Sequence, residues 1–387
     1  MSYHHAKLGR EHIVLERGRI AERWRSERWD SLTFQFPNSM IRLPGYAYDG
    51  DEPQGFMHRD GVVRFIEEYA RRIAPPVRCG IRVIGLDSSD TGSLVVETDH
   101  VALEAVNVVV ATGPYQVPSV PTFSTSLPSR TYQVTANRYT NPGQLPPGSV
   151  LVVGSGGSGC QIAEDLLLSG RGVYLSVGRH RRVPRRYRGE DFGWWQEKTG
   201  ASDRTVDTLP PDWRAPLLTG VGGGQDVDLR RLAEHGVKLT GSLRDIRGSQ
   251  LLFASDLEEN LTKGDELFNQ FIRSVDDYIL KQGMEAEPQQ NSRATVRSPT
   301  TSAIRDLDIR SAGITSVIWA TGYQYDFGWV KCPVLDANGK PVHRRGVTAV
   351  PGVYFLGLPR LHKVKSAFLW GVGEDAAFLA QHIGSRT

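Results

Sequence analysis

The stretch Ser149-Val150-Leu151-Val152-Val153-Gly154-Ser155-Gly156-Gly157-Ser158-Gly159-Cys160-Gln161-Ile162-Ala163-Glu164-Asp165-Leu166-Leu167-Leu168 reads as strand, glycine turn and helix. In such a unit Gly154 makes the tight turn, Gly156 lets a pyrophosphate approach the backbone, and Gly159 lets helix and strand pack closely. Gly157 and Ser158 belong to the same loop, which opens at Cys160 into a helix whose N-terminus supplies oriented N–H groups for phosphate. The unit predicts an α/β fold with a Rossmann-like dinucleotide-binding domain.

The end of the next strand bears on which dinucleotide it is. An NAD site usually sets an acid about 20 residues beyond the loop, on the ribose hydroxyls. Here the strand near Gly172 to Val177 runs out in Ser176-Val177-Gly178-Arg179, with no acid to repel a 2′-phosphate and a guanidinium to pair with one. Six arginines lie from Arg179 to Arg188. A solvated basic loop is the plainer reading of that run; its place directly after the strand favours NADPH, with Ser176 and Arg179 as ligands.

Upstream, Met1 to Leu8 reads as the tail of a helix stopping at Gly9, followed by a strand His12-Ile13-Val14-Leu15-Glu16-Arg17 that ends in an acid. This is the back half of a second βαβ unit. Glu16, with Arg17 beside it, is a candidate for the FAD ribose, against the alternative of an ordinary charged strand end. The front strand and glycine loop of that unit would precede Met1, so the expectation is a discontinuous FAD domain lacking both. Two further segments, Asn107 to Gly113 and Ser316 to Gly322, each close a short apolar strand with Ala-Thr-Gly: Ala111-Thr112-Gly113 and Ala320-Thr321-Gly322. The two bracket the Gly154 loop.

With these segments the chain resembles the flavin-containing monooxygenase-like family, flavoproteins with two dinucleotide-binding domains, over almost its whole length. The marks are Ala-Thr-Gly-x4-Pro-x2-Pro from Ala111 to Pro121, the loop Gly154 to Gly159, and Ala320-Thr321-Gly322-Tyr323. Arg23-Trp24 to Leu32 resembles the stretch that wraps the flavin. Pro351 to Gly357 resembles the last FAD-domain strand, and Gly371 to Asp375 the start of the helix facing the isoalloxazine. The resemblance implies that Arg23, Trp24 and Gly357 join the FAD site. It implies hydride transfer from NADPH to FAD, then dioxygen activation and oxygenation of a small soft nucleophile. It also sets Gln35, in Leu32-Thr33-Phe34-Gln35-Phe36-Pro37, near the place where relatives turn a polar side chain to the flavin; a buried amide tied to backbone is the alternative. Phe368 and Trp370 are candidate walls of the flavin pocket. The family's identifying motif departs here: Thr131 and Thr135 stand where Gly and His are usual, and only Tyr139 matches. An NADPH oxidase or reductase without oxygen insertion therefore stays open, as does a non-catalytic, truncated flavoprotein.

Composition supports this by exclusion. A formal charge of +3 with 23% charged residues asks for neither nucleic acid nor membrane. No apolar run approaches the 18 or so residues that span a bilayer, and no signal peptide opens the chain. Cys79, Cys160 and Cys332 are few and far apart, which suits reduced thiols and a cytoplasmic setting. They offer no close redox pair of the disulfide-reductase kind. The histidines show no metal-ligand spacing, and no metal is expected. The partners expected are a small-molecule substrate and dioxygen, with a homodimer left open. Residues 1–122 and 314–387 are assigned to the FAD domain and 123–313 to the NADPH domain, with a partly helical insertion around 194–300. Within it Leu257 to Gln282 has helical apolar spacing, and Glu285 to Thr301 reads as a linker.

Overall fold

The computed structural model describes residues 1–89, 92–210, 213–288 and 304–386. The expected linker at 285–301 lies largely outside them. In chain order, the elements that position the site begin with helix α1 (Ser2–Lys7), strand β1 (Val14–Glu16), helix α2 (Arg59–Ile73), and strands β2 (Val77–Cys79), β3 (Val108–Val110) and β4 (Val117–Pro118). Next come β5 (Tyr132–Thr135), β6 (Ser149–Val153), α3 (Gly157–Leu168), β7 (Val173–Ser176), β8 (Lys238–Thr240) and α4 (Leu257–Gln282). The last are β9 (Ile314–Trp319), β10 (Tyr323–Gln324), β11 (Val353–Phe355) and α5 (Val372–Gly384).

The NADPH unit is a parallel five-stranded sheet in the order β5-β9-β6-β7-β8. Its central strands are apolar on both faces because both faces are covered. Val150, Val152, Val173, Leu175 and Ile318 pack against Ile162 and Leu166 of α3. The alternate residues Leu151, Val153, Tyr174, Val317 and Trp319 pack on the other side, against Ile246 and Phe253 of an antiparallel three-stranded sheet. β9 belongs to this sheet, pairing Val150 with Ser316 and Val153 with Trp319. The expected boundary at 313/314 is thus corrected: the NADPH unit keeps residues 314–319. The FAD-side β3 and the NADPH-side β9 end in the same Ala-Thr-Gly, so the pattern alone assigns neither to a domain.

The FAD side holds two separate parallel pairs. β1 pairs with β2, aligning Glu16 with Cys79, and β3 pairs with β11, aligning Val110 with Phe355. α5 packs under β11 through Ala376, Leu379 and Ile383. Arg10 Nη1 donates to Ala380 O at 2.7 Å, tying the segment after α1 to this helix. Among the described residues no helix is long and apolar enough to cross a membrane.

Candidate active site

The glycine turn has the geometry that phosphate binding needs. A Cβ on Gly154, whose φ is +107°, would stand 2.5 Å from Ala320 O, and one on Gly159 would stand 1.8 Å from Gly154 O. Only glycine fits either place. At Gly156 a Cβ would meet nothing within 4 Å, leaving the outer side of the turn open. No side chain caps α3, so its first N–H groups remain available, and the Ser158 hydroxyl has no protein partner among the described residues. Ser155 Oγ donates to Gly178 O and accepts from Gly178 N, both at 3.1 Å, bracing the turn against the end of β7.

Ser176 and Arg179 part company at that end. Ser176 is 2% exposed; its hydroxyl donates to Gly241 O and accepts from Leu243 N. A hydroxyl spent on the loop after β8 is not offered to a phosphate, and Ser176 is corrected to a structural residue. Arg179 is exposed and has no ion pair among the described residues.

Across the molecule the FAD-side motifs converge. Ser119 N donates to Gly322 O at 2.9 Å, and β4 and β10 pair in antiparallel register, so the two Ala-Thr-Gly segments run into one two-stranded seam. Thr321 Oγ1 donates to Ser119 O, and Thr112 Oγ1 accepts from Gln116 Nε2 at 3.0 Å. Ala111 is exposed at the rim, and Gly113, Gly322 and Gly357 all hold left-handed backbones, with φ of 69°, 91° and 74°. Arg23 pairs with Glu27 and donates to Tyr115 O, while the Arg28 guanidinium lies over both Trp24 and Tyr115. The wrapping stretch thus meets the first Ala-Thr-Gly segment. Glu16 ends β1 as expected, its Oε1 accepting from Gly18 N at 2.7 Å, with Arg17 exposed beside it. These residues fit a nucleotide ribose at Glu16 and a flavin near the seam.

Gln35 connects the halves. Its Nε2 stands 3.0 Å from where a Gly157 Cβ would be, so the amide faces the first turn of α3. Among the described residues the amide has no hydrogen bond, whereas Gln35 O accepts from Arg185 Nη1 at 2.6 Å. Arg185 is 2% exposed, pairs with Asp191 at 2.8 Å and lies over Phe56. The sequence showed Arg185 only as one of six basic residues; the apolar Val183-Pro184 before it was the available sign of burial. Beside Gln35, the Phe36 and Trp370 rings meet at 4.5 Å and Phe368 stacks on Trp370 at 4.6 Å, next to the uncapped start of α5.

A strap joins the insertion to the loop that leads into α5. Val206 N donates to His362 O and Val364 N to Arg204 O, both at 3.0 Å. Lys363 and Lys365 each pair with Asp203 and with Glu374. Burial opposes the charge on Glu374, but its hydrogen bonds to Lys363 and Lys365 outweigh that and hold its pKa below the usual carboxylate value.

Comparison with known proteins agrees with this geometry. Residues 1–188 match the family described as pyridine nucleotide-disulphide oxidoreductase. An uncharacterized CzcO-like oxidoreductase of Geobacillus kaustophilus is 34% identical, over 96% of this chain and 90% of its own. Among solved structures, a flavin-containing monooxygenase from Stenotrophomonas maltophilia superposes with a TM-score of 0.65 at 16% identity, covering 97% of this chain and 98% of that one. The bacillithiol disulfide reductase of Bacillus cereus gives 0.62 at 16% identity, covering 100% and 95%. At such identities these two likenesses bear on the fold alone.

Proposed function

Because the chain belongs to the CzcO-like oxidoreductases, flavoproteins of the flavin-containing monooxygenase-like class, we propose that it is an FAD- and NADPH-dependent monooxygenase acting on a small soft nucleophile. With FAD and NADPH bound, the cofactors would supply the hydride transfer and the dioxygen activation. The chain's own residues bind, orient and shield. The open turn at Gly156 and the start of α3 hold the NADPH pyrophosphate, Arg179 pairs with the 2′-phosphate, and Glu16 holds the FAD ribose. Phe36, Phe368 and Trp370 keep water from the reacting centre. The observation that carries the reading is the Gln35 amide, free of protein partners and set between the flavin-side aromatics and the NADPH turn. There it can donate one hydrogen bond and accept another where the two nucleotides meet.

A second reading, an NADPH oxidase without oxygen insertion, rests on Thr131 and Thr135. Thr135 Oγ1 donates to Asn137 Oδ1 at 2.7 Å and Thr131 is buried, so neither side chain turns to the nucleotide turn. The test is to follow NADPH consumption in air against peroxide release and product formation with amines, sulfides and keto acids. Product matching NADPH supports oxygenation. Peroxide alone with every nucleophile tried supports the oxidase.

A further inference from the structure

Among the described residues, the arginines with little exposure behind the NADPH turn are matched to acids. Arg182 pairs with Asp228 and Asp265, Arg185 with Asp191, and Arg230 with Asp265 and Glu258. Arg181 is the exception. It follows β7 two residues after Arg179, where its carbonyl accepts from Leu217 N at 2.8 Å, but among the described residues its guanidinium has neither an ion pair nor a hydrogen bond. What it meets is Trp213, with the guanidinium 5.8 Å from the ring centroid. Arg360, on the loop after β11, stands 5.8 Å from the same ring, and it too has no acid partner among the described residues. Arg360 holds a left-handed backbone, φ 58°, which non-glycine residues adopt at a cost that surrounding structure must offset. Burial first, and then the charge of Arg204, push Arg181 down to about 10. Arg204 is exposed, gives one N–H to Thr208 O and has no carboxylate partner among the described residues.

Two like charges over one indole repel each other, Arg204 adds to the repulsion on Arg181, and at this range a cation–π contact holds a guanidinium only weakly. Desolvated charge without a counter-charge is costly, and the ordinary remedy is an anion bound bidentately by the guanidinium forks. Arg181 keeps some exposure, so a ligand can reach it. Arg181 and Trp213 come from the NADPH unit and its insertion, whereas Arg360 comes from the loop leading to α5. We infer that Arg181 and Arg360, which share the Trp213 ring at the seam between the two units, form a binding site for a carboxylate or phosphate group. Two sources carry that chemistry: an acidic substrate, and a phosphate of the dinucleotide.

The test is calorimetric titration of the purified protein with phenylpyruvate and, separately, with 2′,5′-ADP. It measures binding and not turnover, so its outcome is independent of whether oxygen is inserted. Arg181→Gln and Arg360→Gln are each expected to weaken one of the probes at least tenfold, with Arg360→Lys recovering part of the loss. Loss confined to phenylpyruvate identifies a substrate carboxylate. Loss confined to 2′,5′-ADP identifies a dinucleotide phosphate. As a second readout that needs only Arg360→Gln, the same probe should raise the melting temperature of the wild-type protein and leave that of the variant unmoved. Unchanged affinity for both probes in Arg360→Gln overturns the site.

Discussion

Ser176 and Arg179 leave the same strand end, one turned into the sheet and the other into solvent, which makes cofactor choice testable on one side chain. Losing a charge-assisted contact costs roughly 1.5–3 kcal/mol, about 10- to 150-fold in affinity. Arg179→Ala is expected to weaken NADPH binding by that factor and leave NADH nearly unchanged; an equal loss for both would make Arg179 structural. Gly159→Ala is the sharper lesion, since its Cβ would fall 1.8 Å from Gly154 O. Either the turn opens or the helix shifts, and we expect NADPH affinity and melting temperature to drop together. The thiols divide in the same residue-by-residue way. Cys79 is exposed, while burial pushes the Cys160 thiol up to about 12 and raises that of Cys332. A thiol reagent should therefore titrate one cysteine in the folded protein and three after denaturation.

Elements show best what the sequence could convey. The helix expected over Leu257 to Gln282 forms over those residues, because apolar side chains recurring at helical spacing need only local geometry to be recognised. The strand–turn–helix at Ser149 to Leu168 was legible for the same reason. What stayed hidden depends on contacts between distant residues: Ser176 against Gly241, Gln35 against Gly157, Arg185 under Gln35, and β9 in the NADPH sheet. The motif residue Tyr139 belongs with these. Its hydroxyl donates to Asp165 Oδ2 at 2.6 Å, while Ser31 Oγ donates to Oδ1 of the same carboxylate at 2.7 Å, so the segment after β5 and the flavin-wrapping stretch meet on α3. Burial first, and then this bond, raise the Tyr139 pKa. Tyr139→Phe should cost about 1.5–3 kcal/mol of stability, the scale for a hydrogen bond to a charged group. Chemical denaturation would check it, and a change near zero would mean that water replaces the hydroxyl.

For the whole molecule, burial holds His4, His5, His180, His343 and His362 below their ordinary pKa, and two of them make the response to acid testable. Burial, the largest effect on both, lowers His5 to about 4 and also lowers His180 below its ordinary 6.5. Such groups take up protons more readily in the unfolded chain, so stability is full above about pH 6.5 and falls as the pH drops towards 4. Melting temperature should decline over that interval, and His5→Leu with His180→Asn should flatten the decline. The strap at Arg204–Val206 has a different consequence. It fastens the insertion of the NADPH unit to the loop that feeds α5, so whatever orders one half is felt by the other. Thermodynamic linkage makes such coupling reciprocal: the factor by which bound FAD tightens NADPH must equal the factor by which NADPH tightens FAD. Loosening the strap with Asp203→Asn should shrink both factors together, so either nucleotide serves as a gauge of how firmly the other is held.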